Sequence, residues 1–258
     1  IRLVGSEMCI RDSLYSEAEQ TLSIFAKKHN IPVTSTVMGI GCMTKDDPYY
    51  ISAIGALGEG SSNNLSKDTD LALAVGTKLA DFTTGSWANF ENPNFKLISV
   101  NTARYDTTKH LATPVISDAK VGLLQISEAL GDWRAPDIWY QRAIKERDEW
   151  EAYVAKQSGP TNQEEPSYAH AVGAIYRNSD PSDIVVTAAG GLVGEVVQVW
   201  KPKELNTFET EWGFSCMGYE ISGALGIKMA KPDQDVVVFV GDGSYLLNNS
   251  DIYSSVLY

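Results

Sequence analysis

The stretch VVVFVGDGS at 236–244 decides the fold class of this 258-residue chain. The five apolar residues from Val236 to Val240 predict a strand that is buried on both faces of a parallel sheet. This strand would deliver the sequence GDGS at its carboxyl end, where open α/β sheets bind their ligands. Asp242 between two glycines suits a cation beside a phosphate, because the carboxylate offers an oxygen and glycine lets backbone approach closely. The tripeptide alone is equally compatible with an ordinary turn.

The rest of the chain alternates helices with short apolar strands, which is the pattern of parallel βαβ units. Leu71–Val75 and Phe95–Val100 are predicted strands of a first unit, and Ile184–Ala189 is a predicted strand of a second. Glycine and proline interrupt regular structure at 158–166, between the two sets. We therefore predict an α/β fold with two open parallel-sheet units rather than one continuous sheet.

The boundaries follow from composition. Residues 1–13 (IRLVGSEMCIRDS) lack a periodic apolar pattern and are similar to translated sequencing-adapter text, so we interpret them as a non-native leader outside the fold. We expect a first α/β domain over 14–133, a charged helical connector and linker over 134–166, and part of a second α/β domain over 167–258. The helical pattern at 250–258 stops abruptly, and we expect a fold that is truncated at both ends.

Local signals place several elements. Ser16 and Glu19 have the spacing of a capping box, and Ser167 is a predicted N-cap. Gly39–Gly60 is predicted to be one long glycine-rich loop, and Asp137–Gln157 one solvated helix.

Charge and composition exclude several function classes. The net charge of -12 argues against a nucleic-acid partner, which needs clustered lysine and arginine. The apolar runs are far shorter than the ~20 residues of a membrane span. Cys9, Cys42 and Cys216 form no C-x-x-C pair, so neither a zinc site nor a disulfide framework is indicated, which fits a cytoplasmic protein.

Longer motifs carry a family resemblance. WGFSCMGYE at 212–220, a glycine-rich helix predicted over Met217–Ala230, an apolar strand and then GDGS resemble, in order and spacing, the diphosphate-binding domain of thiamine-diphosphate-dependent enzymes. VGTKLADFTTGS at 75–86, and a later strand followed by His110, resemble the middle, Rossmann-like domain of that family. The chain is identified as a member that carries the middle domain and the first half of the diphosphate-binding domain.

Within the family, DFTTGS at 81–86, EWGFSCMGYEI at 211–221 and GDGSYLLNNSDI at 241–252 most resemble one branch. This branch hydrolyses a carbon–carbon bond of trihydroxycyclohexane-1,2-dione in myo-inositol catabolism, giving 5-deoxy-glucuronate. The resemblance implies thiamine diphosphate and Mg²⁺ as cofactors and a small cyclic diketone as substrate. It also implies a cytoplasmic homodimer or homotetramer for the whole enzyme, with no nucleic-acid or membrane partner.

The resemblance assigns roles to individual residues. Asp242 would bind Mg²⁺, Met217 would lie under the bent cofactor, and the carbonyl of Ser215 would meet the 4′-amino group. The residues assigned to the cofactor are Gly190, Gly191, Ser215, Met217, Gly241, Gly243 and Ser244. Without the resemblance, Met217 would be interpreted as an ordinary core residue. Cys216 is interpreted as a small packed side chain, because no nearby base would activate its thiol.

Two parts of the family's site have no match in the sequence. The family needs a second metal ligand further beyond GDG than Tyr258, and the activating glutamate lies in an amino-terminal domain. We therefore expect the chain alone to bind the cofactor weakly and to be inactive. An acetolactate-synthase-like or decarboxylase-like enzyme remains an alternative, as do a non-catalytic nucleotide-binding module and an inert remnant. No G-x-G-x-x-G opens a helix after a strand, which weighs against a nicotinamide site.

Overall fold

A computed structural model describes residues 16–257 and the backbone of Leu3–Val4. Contacts divide the chain into two compact units, Ile1–Ala152 and Tyr153–Tyr258. The division falls inside the helix Asp137–Gln157, so the first unit takes in most of the segment predicted as a connector.

The first unit is built from parallel strands and helices. Its elements are β1 (Leu3–Val4), α1 (Glu19–His29), β2 (Val33–Ser35), β3 (Tyr50–Ala53), α2 (Gly60–Lys67), β4 (Leu71–Val75), α3 (Asp81–Thr84), β5 (Lys96–Asn101), α4 (Arg104–Thr108), β6 (Thr113–Ile116), α5 (Ala119–Leu130) and most of α6 (Asp137–Gln157). One sheet has the order β1-β4-β5-β6, and β2 pairs with β3 in a second sheet. All of these pairs are parallel, as predicted.

The core of this unit lies where α1 and α5 pack on the larger sheet. Leu22 and Phe25 of α1 meet Val75 and Val100 of the sheet, and Leu123 of α5 completes the cluster. Each such side chain stabilises the fold by about 1.5–3 kcal/mol when it is fully buried. The strand predicted over 71–75 is confirmed, because its apolar residues supply this buried surface.

Two expectations for the first unit were wrong in part. We placed the leader 1–13 outside the fold, but its residues Leu3–Val4 pair with β4, because their backbone extends the parallel ladder. The rest of 1–13 lies outside the described residues. The predicted loop Gly39–Gly60 contains β3, because Val33 pairs with Tyr50. The buried Tyr50 hydroxyl lies 2.9 Å from Ser35 Oγ. Periodicity over four residues is too short to indicate such a strand.

Helix ends follow local hydrogen bonding. Ser16 does not cap α1, which begins at Glu19; its hydroxyl instead donates to the Asp118 carboxylate, which caps α5. Ser167 does cap the next helix, as predicted, and the His170 side chain completes the capping box.

The helix α6 is mostly solvated, as predicted. Its Trp139 and Ala143 pack against Leu65, and Arg142 forms an ion pair with Asp68 at 2.6 Å. Within the described part of the chain, no helix combines the length and the apolar character needed to cross a membrane.

The second unit is a smaller α/β layer. Its elements after α6 are α7 (Tyr168–Asn178), β7 (Ile184–Thr187), α8 (Leu192–Val199), β8 (Phe208–Thr210), α9 (Tyr219–Ala230), β9 (Val236–Val238), α10 (Asp242–Asn248) and α11 (Ser250–Leu257). The strands form a parallel sheet of order β8-β7-β9. β7 is therefore the central strand of this sheet, and its valines and isoleucine are buried.

The position of β9 differs from the prediction. The predicted strand Val236–Val240 is regular only over Val236–Val238, and these valines are half-buried rather than covered on both faces. The physical reason is that β9 lies at an edge of the described sheet, paired with β7. An all-apolar run of residues does not by itself distinguish an edge strand from a central one.

Candidate functional site

The candidate site begins where β7 and β9 end. Ala188 to Gly191 follow β7, and Gly241 to Ser244 follow β9. The ladder between these strands continues to the hydrogen bond from the Phe239 amide to the Val186 carbonyl, 2.9 Å long. Parallel neighbours end at the same edge of a sheet, so both segments leave the sheet at its carboxyl edge, which is where open α/β sheets bind their ligands.

The loop before α9 lies against the segment that follows β7. The Ser215 hydroxyl donates to the Ala188 carbonyl over 3.1 Å. Ser215 itself has a φ of 53°, a left-handed conformation that costs about 1–2 kcal/mol for a residue other than glycine. The contact with Ala188 helps to hold Ser215 in this unfavourable conformation.

Met217 borders the GDGS segment. A Cβ placed on Gly243 would lie 2.8 Å from Met217 Cε, so the methionine methyl group already occupies the space beside this glycine. The Met217 side chain is 51% exposed, and Ser244 is buried. The structure thus brings Met217 and Gly243 together, and Met217 is not an ordinary core residue.

Three glycines of the strand-end segments leave open space beside the backbone. Among the described residues, a Cβ on Gly190, Gly191 or Gly241 would meet no atom within 4 Å beyond the chain neighbours. Gly190 also has a φ of 82°, which favours glycine. Their arrangement fits a diphosphate group, which needs backbone that a ligand can approach closely.

The geometry of Asp242 fits a single-carboxylate Mg²⁺ ligand. Asp242 is exposed at the start of α10, and its Oδ1 accepts a hydrogen bond from the Gly243 amide at 2.8 Å. Mg²⁺ is usually bound through one or two carboxylates together with phosphate and water oxygens. No cluster of three or more His, Cys, Asp or Glu side chains that could hold a metal occurs in the part of the chain that the structure describes.

Sequence reasoning missed the role of Glu220. Its side chain is completely buried in the first turn of α9. One carboxylate oxygen, Oε1, accepts from the Ala189 amide at 3.1 Å, and the other, Oε2, accepts from the Gly218 amide at 2.9 Å. The available signal was a charged residue beside the small and apolar residues that begin α9.

Glu211 organises the same loop from its other end. Its carboxylate accepts from the amides of Phe214 at 3.0 Å and Cys216 at 2.7 Å. Burial alone would raise the pKa of Glu211, but hydrogen bonds from Cys216, Phe214 and Gly213 outweigh it and lower the pKa. The hydrogen bond to this carboxylate raises the pKa of the Cys216 thiol. Cys216 is exposed rather than packed, which corrects our expectation.

The other polar residues considered from sequence have structural contacts. The centroid of the His110 ring lies 4.6 Å from that of the Trp87 ring. Partial burial is the main cause that lowers the pKa of His110, and the nearby charge of Lys109 lowers it further. Asp81 accepts from the Ser86 hydroxyl at 2.9 Å within its own turn.

A groove of the second unit lies away from these strand ends. It measures about 1070 Å³ and runs along the outer edge of β9, lined by Val236, Val238, Tyr245 and Ile252 among others. Its walls are mainly apolar side chains, whereas the candidate site consists mainly of loop backbone. We therefore place the site at the strand ends on chemical grounds rather than by size of cavity.

Comparison with known families gives two matches, one in each half of the chain. The central domain of thiamine pyrophosphate enzymes matches residues 11–126, and the C-terminal thiamine-pyrophosphate-binding domain of the same enzymes matches residues 188–258. The second match contains every residue that the sequence analysis assigned to the cofactor and the metal. Thiamine diphosphate, usually held with Mg²⁺, is the cofactor of this family.

Similar proteins carry a more specific name. The 3D-(3,5/4)-trihydroxycyclohexane-1,2-dione hydrolases of Geobacillus thermodenitrificans and Clostridium tetani are each 34% identical over 266 aligned residues, which cover 94% of this chain and 41% of the relative. The hydrolase of the same name from Lacticaseibacillus casei is 32% identical, and the alignment covers 95% of this chain and 41% of the relative. The chain thus spans about two fifths of the length of these relatives. Together the two domain matches show that the chain belongs to the thiamine pyrophosphate enzymes.

Proposed function

We propose that the chain is part of a thiamine-diphosphate- and Mg²⁺-dependent hydrolase that opens trihydroxycyclohexane-1,2-dione to 5-deoxy-glucuronate. The relatives' names support the substrate and the reaction class. The observation that carries the proposal is the convergence of three segments. Ser215 contacts Ala188, Glu220 joins Ala189 to Gly218, and Met217 lies against Gly243.

We assign the diphosphate and its metal to the strand-end segments. Asp242 would provide a carboxylate oxygen to Mg²⁺, which would be shared with the diphosphate. The residues that would contact the diphosphate are Gly190, Gly191, Gly241, Gly243 and Ser244. The open space beside three of these glycines supports this assignment.

We assign the organic part of the cofactor to the loop before α9. Met217 would support the bent cofactor, because its exposed side chain stands directly beside Gly243. The Ser215 carbonyl would accept a hydrogen bond from the 4′-amino group. The hydroxyl contact of Ser215 with Ala188 supports this assignment, because it holds the loop around Ser215 against the segment that follows β7.

The proposed chemistry breaks a carbon–carbon bond next to a carbonyl. The cofactor's thiazolium ring supplies the electron sink for such a cleavage. The carbonyl carbon finally takes the hydroxyl of water and becomes a carboxylate, while the other carbon takes a proton. The role of this chain's residues is to hold and orient the cofactor for the reaction.

We further propose a cytoplasmic homodimer or homotetramer. Cys42 and Cys216 are both free thiols, which is typical of proteins kept in a reducing compartment, and Cys9 lies outside the described residues.

The test uses a protein of the relatives' full length that contains residues 14–258, called here the parent protein. It is incubated with trihydroxycyclohexane-1,2-dione, thiamine diphosphate and Mg²⁺, and the product is identified by mass spectrometry. We expect a product that has gained the mass of one water, formed only with both cofactors. Turnover of pyruvate without turnover of the diketone would refute the proposal in favour of an acetolactate-synthase-like or decarboxylase-like enzyme.

A further inference from the structure

Glu220 connects two backbone segments that are far apart in sequence. Its two carboxylate oxygens bind different loops, with Oε1 on the Ala189 amide at 3.1 Å and Oε2 on the Gly218 amide at 2.9 Å. Ala189 precedes the glycine pair after β7, and Gly218 directly follows Met217. The side chain therefore sets the separation between the two segments.

The burial of Glu220 makes this connection more than an incidental contact. A buried carboxylate is unfavourable unless its oxygens receive hydrogen bonds. The adjacent buried residues of α9, Ile221 and Ala224, are apolar, so an apolar side chain would suit the same environment. An apolar side chain would fill the space but would leave the two amides without their acceptor.

A third segment is attached to the same glycine through its carbonyl group. The Asn248 side chain donates to the Gly218 carbonyl at 3.1 Å. Asn248 is the last residue of α10, the helix that begins with Asp242. The hydrogen bonds thus run from the segment after β7 through Glu220 and Gly218 to the helix that carries the proposed metal ligand.

We propose that Glu220 is a positioning residue that couples the Ala189 segment to Gly218 and so fixes the spacing of the backbone that would hold thiamine diphosphate. The role of the spacing rests on the proposed function, whereas the coupling itself is a property of the ligand-free chain. Glu220 does not touch the cofactor in this proposal. It acts through the amides that it binds.

The coupling is tested by amide hydrogen exchange of the 258-residue chain without ligand. The variant Glu220→Gln keeps the size of the side chain but replaces one accepting oxygen by an N–H donor. We expect exchange at Ala189, Gly218 or both to rise by about tenfold or more, since hydrogen bonds to charged groups are among the stronger ones. The amides of β7 should change far less.

The matched control is Glu59→Gln, which alters a buried glutamate in the first unit. We expect exchange at Ala189 and Gly218 to stay at its wild-type value in this variant. If Glu220→Gln also leaves both amides unchanged, the coupling is refuted. A uniform rise across the whole second unit, repeated in the shorter Glu220→Asp variant, would show a general core role and would overturn the proposal as well.

The consequence for the cofactor is measured separately in the parent protein, by calorimetric titration with thiamine diphosphate in Mg²⁺. We expect Glu220→Gln to weaken binding by about tenfold or more, and Glu59→Gln to leave it unchanged. Wild-type affinity in Glu220→Gln would refute the positioning role. Absence of binding in the wild type would refute the proposed function instead, while the exchange data would still decide the coupling.

Discussion

Gly218→Ala should destabilise the second unit strongly. Gly218 has φ 94° and ψ -19°, a conformation that is unfavourable for an alanine. An added Cβ would also lie 2.9 Å from Asn248 Cβ, well inside normal contact distance. That neighbour is not the free end of a flexible side chain, because Asn248 is held by hydrogen bonds to Gly218 and Asp251.

The magnitude follows from two independent costs. The backbone strain is worth about 1–3 kcal/mol, and overpacking against a fixed neighbour adds about 1–3 kcal/mol. We therefore expect a loss of about 2–6 kcal/mol, which is large beside the roughly 5–15 kcal/mol of a whole domain. The matched control is Gly226→Ala in α9, where a new Cβ meets no described atom within 4 Å. It should stabilise the helix by about 0.5–1 kcal/mol.

Native-state hydrogen exchange of the slowest β7 amides, such as those of Val185 and Val186, reports the opening of the second unit. A loss of about 2 kcal/mol raises these exchange rates by about 30-fold. Gly218→Ala is expected to exceed that factor, and Gly226→Ala to slow exchange. If Gly218→Ala exchanged within about twofold of wild type, the conformation and the contact at this glycine would be refuted.

Three further outcomes are expected. The lowered pKa of Glu211 means that its carboxylate stabilises the loop at neutral pH and that this contribution is lost as the pH falls through the folded-state pKa. The NMR shifts of the Phe214 and Cys216 amides should therefore titrate with a midpoint below that of an ordinary glutamate, and a midpoint at or above the ordinary value would contradict the hydrogen bonds. Met217→Ala in the parent protein should lower kcat by about tenfold, while the Kd for thiamine diphosphate changes less. Steady-state kinetics measure kcat and calorimetry measures the Kd. An equal loss in turnover and in affinity would refute a role in shaping the cofactor. The half-buried edge strand β9 should make the 258-residue chain self-associate, as measured by static light scattering. Ile252→Lys, in the apolar groove beside that edge, should reduce this association. A wild-type chain that stays monomeric at high concentration would contradict this prediction.

Elements with strong local signals could be predicted from the sequence. The bounds of β4 and α6 match the prediction, because β4 is a continuous apolar run and α6 has a helical pattern with no internal breaker. Ser167 is an N-cap as predicted, since its hydroxyl can accept from the backbone three residues later. Short strands such as Tyr50–Ala53 could not be predicted, because their pairing with a distant strand, and not local pattern, determines them.

The candidate site shows the same limit. Gly190, Met217 and Asp242 were selected because each lies in a recognisable motif. Glu220 was not selected, because its role depends on two amides, at Ala189 and Gly218, whose approach only the folded chain shows.

The most direct test of the central claim is calorimetric titration of the parent protein with Mg²⁺ and thiamine diphosphate, in wild type and in Asp242→Ala. Asp233→Ala, which removes an exposed acidic residue from the turn before β9, is the control for lost charge. We predict that Asp242→Ala abolishes measurable binding, because Mg²⁺ keeps strict octahedral geometry and cannot easily absorb the loss of a carboxylate ligand. Asp233→Ala should bind like wild type. Equal affinity of Asp242→Ala and wild type would contradict the assignment of GDGS as the metal and diphosphate site.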